Sequence, residues 1–150
     1  MITNWINITI EDLYTYLAAP QVETLRRCAV AKSQPDPVAD AIQNVVLSIR
    51  AYIVSNKRNV LSQSPYAIPP ELKNDACVLI LEVAQLRIPG FRLTSDQVRL
   101  VEDARGKMQK IVSGEFVVSL PNDCAMEPEK AMEVVVSRRR VITGKTLEGF

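Results

Sequence analysis

The stretch SQPDPVADAIQNVVLSIRAYI, residues 33–53, decides the fold. Asp36 suits an N-cap, because its side chain can accept from a backbone N–H that the first helical turn leaves without a partner. Pro37 follows at the first helical position, where a missing N–H costs nothing. Val38, Ile42, Val45, Ile49 and Ile53 then recur at three- and four-residue spacing. That spacing is one face of a helix ending near Asn56.

Working towards the N-terminus, Thr9 reads as the cap of an earlier helix. Asp12 stands three residues on, an acidic variant of the capping box, and Ile8 with Leu13 fits a hydrophobic staple. This helix is expected to run to about Ala18, where Ala19-Pro20 interrupts it. A second short helix is expected over roughly 21–32, with Val22, Leu25, Cys28 and Ala29 on one face and Arg26, Arg27 and Lys32 towards its C-terminal half. Trp5, before the first helix, either folds back on the core or lies at a subunit contact; the core is favoured.

Towards the C-terminus, NKRN (56–59) reads as a charged helix end, and the segment up to Ile68 as an exposed loop. PPELKNDACVLILEVAQLRIPG (69–90) predicts a fourth helix opening at Pro70. Its run from Cys77 to Leu81 is apolar all round, which predicts a central helix covered on several sides. Thr94 with Gln97 is a second capping box, opening a fifth helix with Val98, Val101, Ala104, Met108 and Ile111 inward and Gly114 just past its end. The fold class is therefore mainly α: a small bundle of about five helices.

From Glu115 the rhythm changes. FVVSLP (116–121) suits a short extended segment, and MEVVVS (132–137) is β-prone. RRR (138–140) is strongly basic, and VITGKTLEGF (141–150) has no helical period. Glu115, Asp123, Glu127, Glu129 and Glu133 against Lys130 make residues 115–133 acidic. Arg138, Arg139, Arg140 and Lys145 against Glu148 make 134–150 basic. The chain divides into a helical domain, 1–114, and an extended, partly β-prone C-terminal arm, 115–150.

Composition narrows the function. The 150 residues carry 18 basic and 17 acidic side chains, so no overall field draws the protein to DNA or anionic lipid. No apolar run approaches the roughly 20 residues of a membrane span, and no membrane partner is expected. The N-terminus lacks the marks of a signal peptide. There is no histidine, the commonest general base and zinc ligand. The three cysteines, Cys28, Cys77 and Cys124, are scattered and suggest neither a disulfide framework nor a thiolate metal site. Cys28 and Cys77 read as core. No phosphate loop, dinucleotide fingerprint, nucleophile elbow or metal motif is present. No catalytic residue, cofactor or metal is assigned, and an enzyme is not expected.

Two candidate sites remain. Residues Val134, Val135, Val136, Arg138, Arg139, Arg140, Val141, Ile142 and Phe150 combine apolar residues suited to pairing with a partner's strand edge and a cluster suited to an anionic partner. A solvated charge run accounts for the arginines as well. Lys57, Arg58 and Lys73 are a second candidate basic site, for DNA or an interface, although helix termini also explain them.

The order of motifs ITIEDLYTYLAAP (8–20), QPDPVADAIQNVVLSIRAYI (34–53), NKRNVL (56–61), IPPELKNDACVLILEVAQLRIPG (68–90) and VSGEF (112–116) resembles the head–tail connector proteins of tailed phages, in particular the adaptor-like family of Mu-like prophages. The similarity covers about residues 6–120. It rests on the Asp-Pro helix start with its Val/Ile ladder and Arg50-Ala51-Tyr52, the Arg58-Asn59 pair and the Ile-Pro-Pro-Glu-Leu start. The resemblance implies a virion protein forming a ring of about twelve copies beneath the portal. Its partners are then the portal protein, neighbouring copies, a neck or tail-completion protein and, transiently, the packaged DNA. It also implies a C-terminal extension that grips the portal; here the stretch after Pro121 is longer than the family's usual ending. Fully extended, residues 115–150 reach up to roughly 100 Å. Such an arm is expected to be loose alone and ordered only in the assembly. The alternative is a small helical nucleic-acid-binding protein using Arg138–Arg140.

Overall fold

The computed structural model describes residues 1–15, 17, 19–27, 33–87 and 92–124. Two short strands, β1 (Ile2–Thr3) and β2 (Ile6–Asn7), lead into α1 (Ile10–Leu13) and α2 (Ala19–Arg27). There follow α3 (Pro37–Ser55), β3 (Ala67–Ile68), a 3-10 turn (Pro70–Leu72), α4 (Lys73–Gln85), α5 (Ser95–Ser113) and β4 (Leu120–Pro121). The described chain is mainly helical, a small bundle with minor strand pairings.

Three helices make its body, and their side-chain contacts give their directions. Arg87, just past α4, meets Asp40 at the start of α3 at 3.2 Å, so α3 and α4 run antiparallel. Lys107 of α5 meets Asp75 at the start of α4 at 2.7 Å, so α4 and α5 are antiparallel too. Asn56, at the end of α3, donates to the Ile111 carbonyl near the end of α5.

The helix boundaries follow from local chemistry. Asp36 accepts from the Val38 N–H at 3.0 Å and Pro37 opens α3, as its sequence predicts. Gln97 accepts from the Thr94 N–H, and Thr94 accepts from the Gln97 N–H, closing the capping box of α5. Gly114 ends α5 at φ 86°, a left-handed conformation that glycine enters without steric cost. An added Cβ there meets Asn56 Nδ2 at 3.2 Å.

The core lies where α3, α4 and α5 meet. Val38, Val45, Ile49 and Ile53 of α3 are buried against Ala76, Cys77, Ile80 and Leu81 of α4 and Met108 and Ile111 of α5. Each fully buried aliphatic side chain of this size contributes about 1.5–3 kcal/mol. The central placement expected of α4 is seen: of its run from Cys77 to Leu81, all but Leu79 are buried, and Leu79 packs partly buried against the core.

Several expectations are corrected. The first helix stops at Leu13 rather than near Ala18. Ala19-Pro20 opens α2 instead of closing α1, because proline in a first turn sacrifices no intrahelical hydrogen bond. The turn at Pro70 is 3-10, and the α-helix proper starts at Lys73. Val98 is not inward but 44% exposed: it sits in the first turn of α5, beyond the buried line of Val101, Ala104, Met108 and Ile111. The loop before β3 is not simply exposed, since Ser62 is buried. Cys28, Ala29, Lys32 and Pro89-Gly90 lie outside the described residues.

β4 falls within the segment 116–121 expected to be extended, whereas β1, β2 and β3 were not anticipated. β2 pairs antiparallel with β3 through Ile6–Ile68 and Asn7–Ala67, and β1 pairs parallel with β4 through Ile2–Leu120 and Thr3–Pro121. The second pairing brings the start of the chain against the segment that follows α5.

Among the described residues α3 is the one helix long and apolar enough, by length and composition, to span a membrane. Its apolar residues are divided between the bundle core and a solvent-facing side, and it carries the buried Arg50.

Candidate interaction surface at the root of the C-terminal segment

After α5 the chain crosses the bundle and is fastened at successive points. Phe116 packs against the core, with the Lys107 ammonium 5.0 Å from its ring centroid. Lys107 is itself held by the Asp75 carboxylate at 2.7 Å and the Glu71 carbonyl at 3.2 Å. Val118 is buried. The Ser119 N–H and hydroxyl both donate to the Glu71 carboxylate, and the Trp5 indole N–H donates to the Ser119 carbonyl at 3.1 Å. Thr3 and Ser119 share a hydroxyl hydrogen bond of 2.6 Å. Leu120 N–H donates to the Met1 carbonyl and Asn122 N–H to that of Thr3.

The last fixed point is Asp123. Its carboxylate accepts from the Ser62 hydroxyl at 2.6 Å and the Gln63 N–H at 2.9 Å. These bonds, the Ser62 one foremost, hold its pKa below the ordinary value against a smaller effect of burial. Ser62 is positioned from the other side by Arg50. The guanidinium donates to the Ser62 carbonyl at 2.9 Å and to the Ala67 carbonyl at 2.6 Å, and its carbon lies 5.9 Å from the centroid of the Trp5 ring. Arg50 is 9% exposed. Burial lowers its pKa, and the Asp123 charge opposes that shift. A planar fork with several donors can satisfy two carbonyls at once, which a single ammonium does less well.

The segment 119–123 is therefore tied to α3 through Arg50 and Ser62, to the turn before α4 through Glu71, and to the N-terminus through Thr3 and Trp5. Trp5 takes up the core-side position favoured for it, partly buried. The described part of the stretch assigned to the arm, 115–124, thus lies against the bundle. Sequence pointed to extended backbone at 116–121, but not to these anchors. Their partners are mostly backbone groups or residues far apart in the chain, and neither leaves a local pattern.

The proposed partner-binding residues Val134, Val135, Val136, Arg138, Arg139, Arg140, Val141, Ile142 and Phe150 lie outside the described residues. Lys57 and Arg58 are exposed in the turn that ends α3, where the Arg58 N–H donates to the Asn56 side chain. Lys73 opens α4 and is bound to Asp12 of α1 at 2.7 Å. Burial raises the Asp12 pKa, but the Lys73 bond and those from Thr9 outweigh it and the net shift is downward. The ion pair with Asp12 accounts for Lys73.

No group of three Cys, Asp or Glu among the described residues is placed to hold a metal ion. Cys77 is buried and hydrogen-bonds the Asp12 carbonyl at 3.9 Å; burial, and then the Asp12 charge, push its thiol up to about 11. A thiol in that state is a poor nucleophile near neutral pH. A shallow apolar groove of about 240 Å³ opens between α3, α4 and α5, over Ile49, Leu79, Val83 and Met108. No family model, curated protein or solved structure matches the chain.

Proposed function

We propose that this protein is a structural head–tail adaptor of a tailed phage. Copies form a ring of about twelve beneath the portal, extend the DNA channel and join the head to the neck or tail. In this reading it is a virion component without catalytic activity, and its contact with packaged DNA is transient.

The observation that supports the reading is the fastening of residues 119–123. The 26 residues after Cys124 start from a point bonded to the loop after α3, to the turn before α4 and to the N-terminal strand. A segment that grips a partner must pass load to its own domain. The bonds of residues 119–123 to Ser62 and Glu71, with Arg50 behind Ser62, offer such a route to the core. The order of helix-start motifs, which resembles that of connector adaptors, supplies the class of partner. The branched apolar residues and arginines of 134–142 supply chemistry for strand addition and for an acidic groove.

The test is deletion of residues 132–150. The shortened protein is expected to keep its helical content and to lose binding to portal-bearing capsids. Unchanged capsid binding overturns the gripping role. A full-length protein that ignores capsids but retards duplex DNA at low salt, with affinity falling steeply as salt rises, moves the assignment to nucleic-acid binding.

A further inference from the structure

We infer that the solvent-facing side of α3 is a self-association surface, on which two copies pair through antiparallel α3 helices. The helix has a core side and an exposed side that mixes apolar residues with uncharged polar ones such as Gln43, Asn44 and Ser48. One side, with Val38, Val45, Ile49 and Ile53, makes the core. The other carries Leu47, 47% exposed, Ala51 and Val54, 52% exposed, spaced four and three residues apart on one stripe. From Ala41 to Asn56 the only charged residue is Arg50, and Arg50 is buried. The eight exposed positions in that stretch, four apolar or aromatic and four polar, carry no charge, which is unusual on a solvated face. Loss of charge with retained aliphatic and aromatic side chains is the compositional mark of an interface centre.

The charges at the two ends identify the occupant as a second copy. Asp40 lies on the stripe, two helical turns before Leu47, and Lys57 and Arg58 follow the far end. Antiparallel pairing sets the acidic start of one α3 against the basic end of the other, twice, about a two-fold axis. Leu47 then faces Ala51 of the second copy, a large residue against a small one, which allows the close approach of packed helices. Asp40 already meets Arg87 at 3.2 Å through Oδ2, so the second cation adds to an existing pair. The helix dipoles also oppose one another favourably.

The stripe sets the strength of the pairing. Nineteen residues of α3 span roughly 28 Å. One helix width gives on the order of 300 Å² a side, below the ~800 Å² of a standard stable complex. The dimer is therefore a weak, concentration-dependent one. It is independent of the adaptor reading: a two-fold contact closes at two copies, whereas a ring needs a different, heterologous contact. Free dimers would separate before entering a ring.

Sedimentation equilibrium of the full-length protein, from low micromolar to about half-millimolar, tests this. The expected result is a monomer–dimer equilibrium, with Leu47→Glu and Ala51→Glu each weakening it at least tenfold. Lys57→Glu with Arg58→Glu should weaken it less, and more at low salt. Val117→Glu, at an apolar site 76% exposed in the segment after α5, should leave it unchanged. Circular dichroism confirms that the variants keep their helices. A wild-type protein monomeric throughout overturns the proposal, as does a dimer indifferent to Leu47→Glu and Ala51→Glu. Monomeric protein that binds neutral phosphatidylcholine vesicles, and loses that binding in Leu47→Glu, assigns the stripe to lipid and overturns it equally.

Discussion

The Ser62 hydroxyl donates to the Asp123 carboxylate at 2.6 Å, joining positions 61 residues apart. It makes the loop after α3 a clamp on the segment after α5. Asp123→Asn and Ser62→Ala are expected to loosen residues 119–124 while leaving the helices intact. Limited proteolysis followed by mass spectrometry should show several-fold faster cleavage there in both variants. Equal cleavage rates mean that the contact does not hold the root.

Arg50 holds that clamp from below. Replacing it with Met preserves bulk but leaves the Ala67 and Ser62 carbonyls without its hydrogen bonds. An unsatisfied buried acceptor costs about 1–3 kcal/mol, so a loss of roughly 2–4 kcal/mol is expected by urea denaturation. Arg50→Lys should recover only part of it, because one ammonium does not reproduce the two-pronged fork.

Acid should release the root before it melts the core. The Asp123 pKa is depressed in the fold. Its contribution is therefore fully present above the ordinary value of 3.8 and is lost as pH falls through the lower, folded value. Asp12, depressed by Lys73 and Thr9 despite its burial, acts in the same direction. Thermal midpoints measured from pH 7 downwards should fall below about pH 4. They should fall less steeply in Asp123→Asn.

Gly114 and Cys77 give two local checks. Gly114→Ala should cost about 1–2 kcal/mol, because φ 86° is strained for any residue with a Cβ, and Asn56 crowds the site. Cys77, with its thiol near 11, should resist alkylation at pH 8 until the protein unfolds. Peptide mapping distinguishes it from Cys28 and Cys124.

The parts of this fold that sequence makes legible are those with signals at both ends. α3 has Asp36-Pro37 before it and Asn56 after it; α5 has Thr94 with Gln97 before it and Gly114 after it. Elements without such ends are misplaced: α1 is cut to a single turn, and Pro20 opens a helix instead of closing one. Two-residue strands have too few positions to show alternation, so β1 and β2 left no pattern. The anchoring role of Arg50 is not legible in sequence, because its partners are the carbonyls of Ser62 and Ala67, and carbonyls have no sequence signature. The chemistry of residues 134–150 is legible as composition, whereas the anchoring of residues 119–123 emerges only from folding.

The most direct measurement of the adaptor assignment is the light-scattering mass of full-length protein mixed with isolated portal from the same source. The account predicts a complex heavier than the portal by about twelve copies of the chain. It also predicts that the added mass disappears when Arg138, Arg139 and Arg140 are changed to Ala together with Val134→Asp and Val136→Asp. A portal whose mass is unchanged by excess full-length protein contradicts the account.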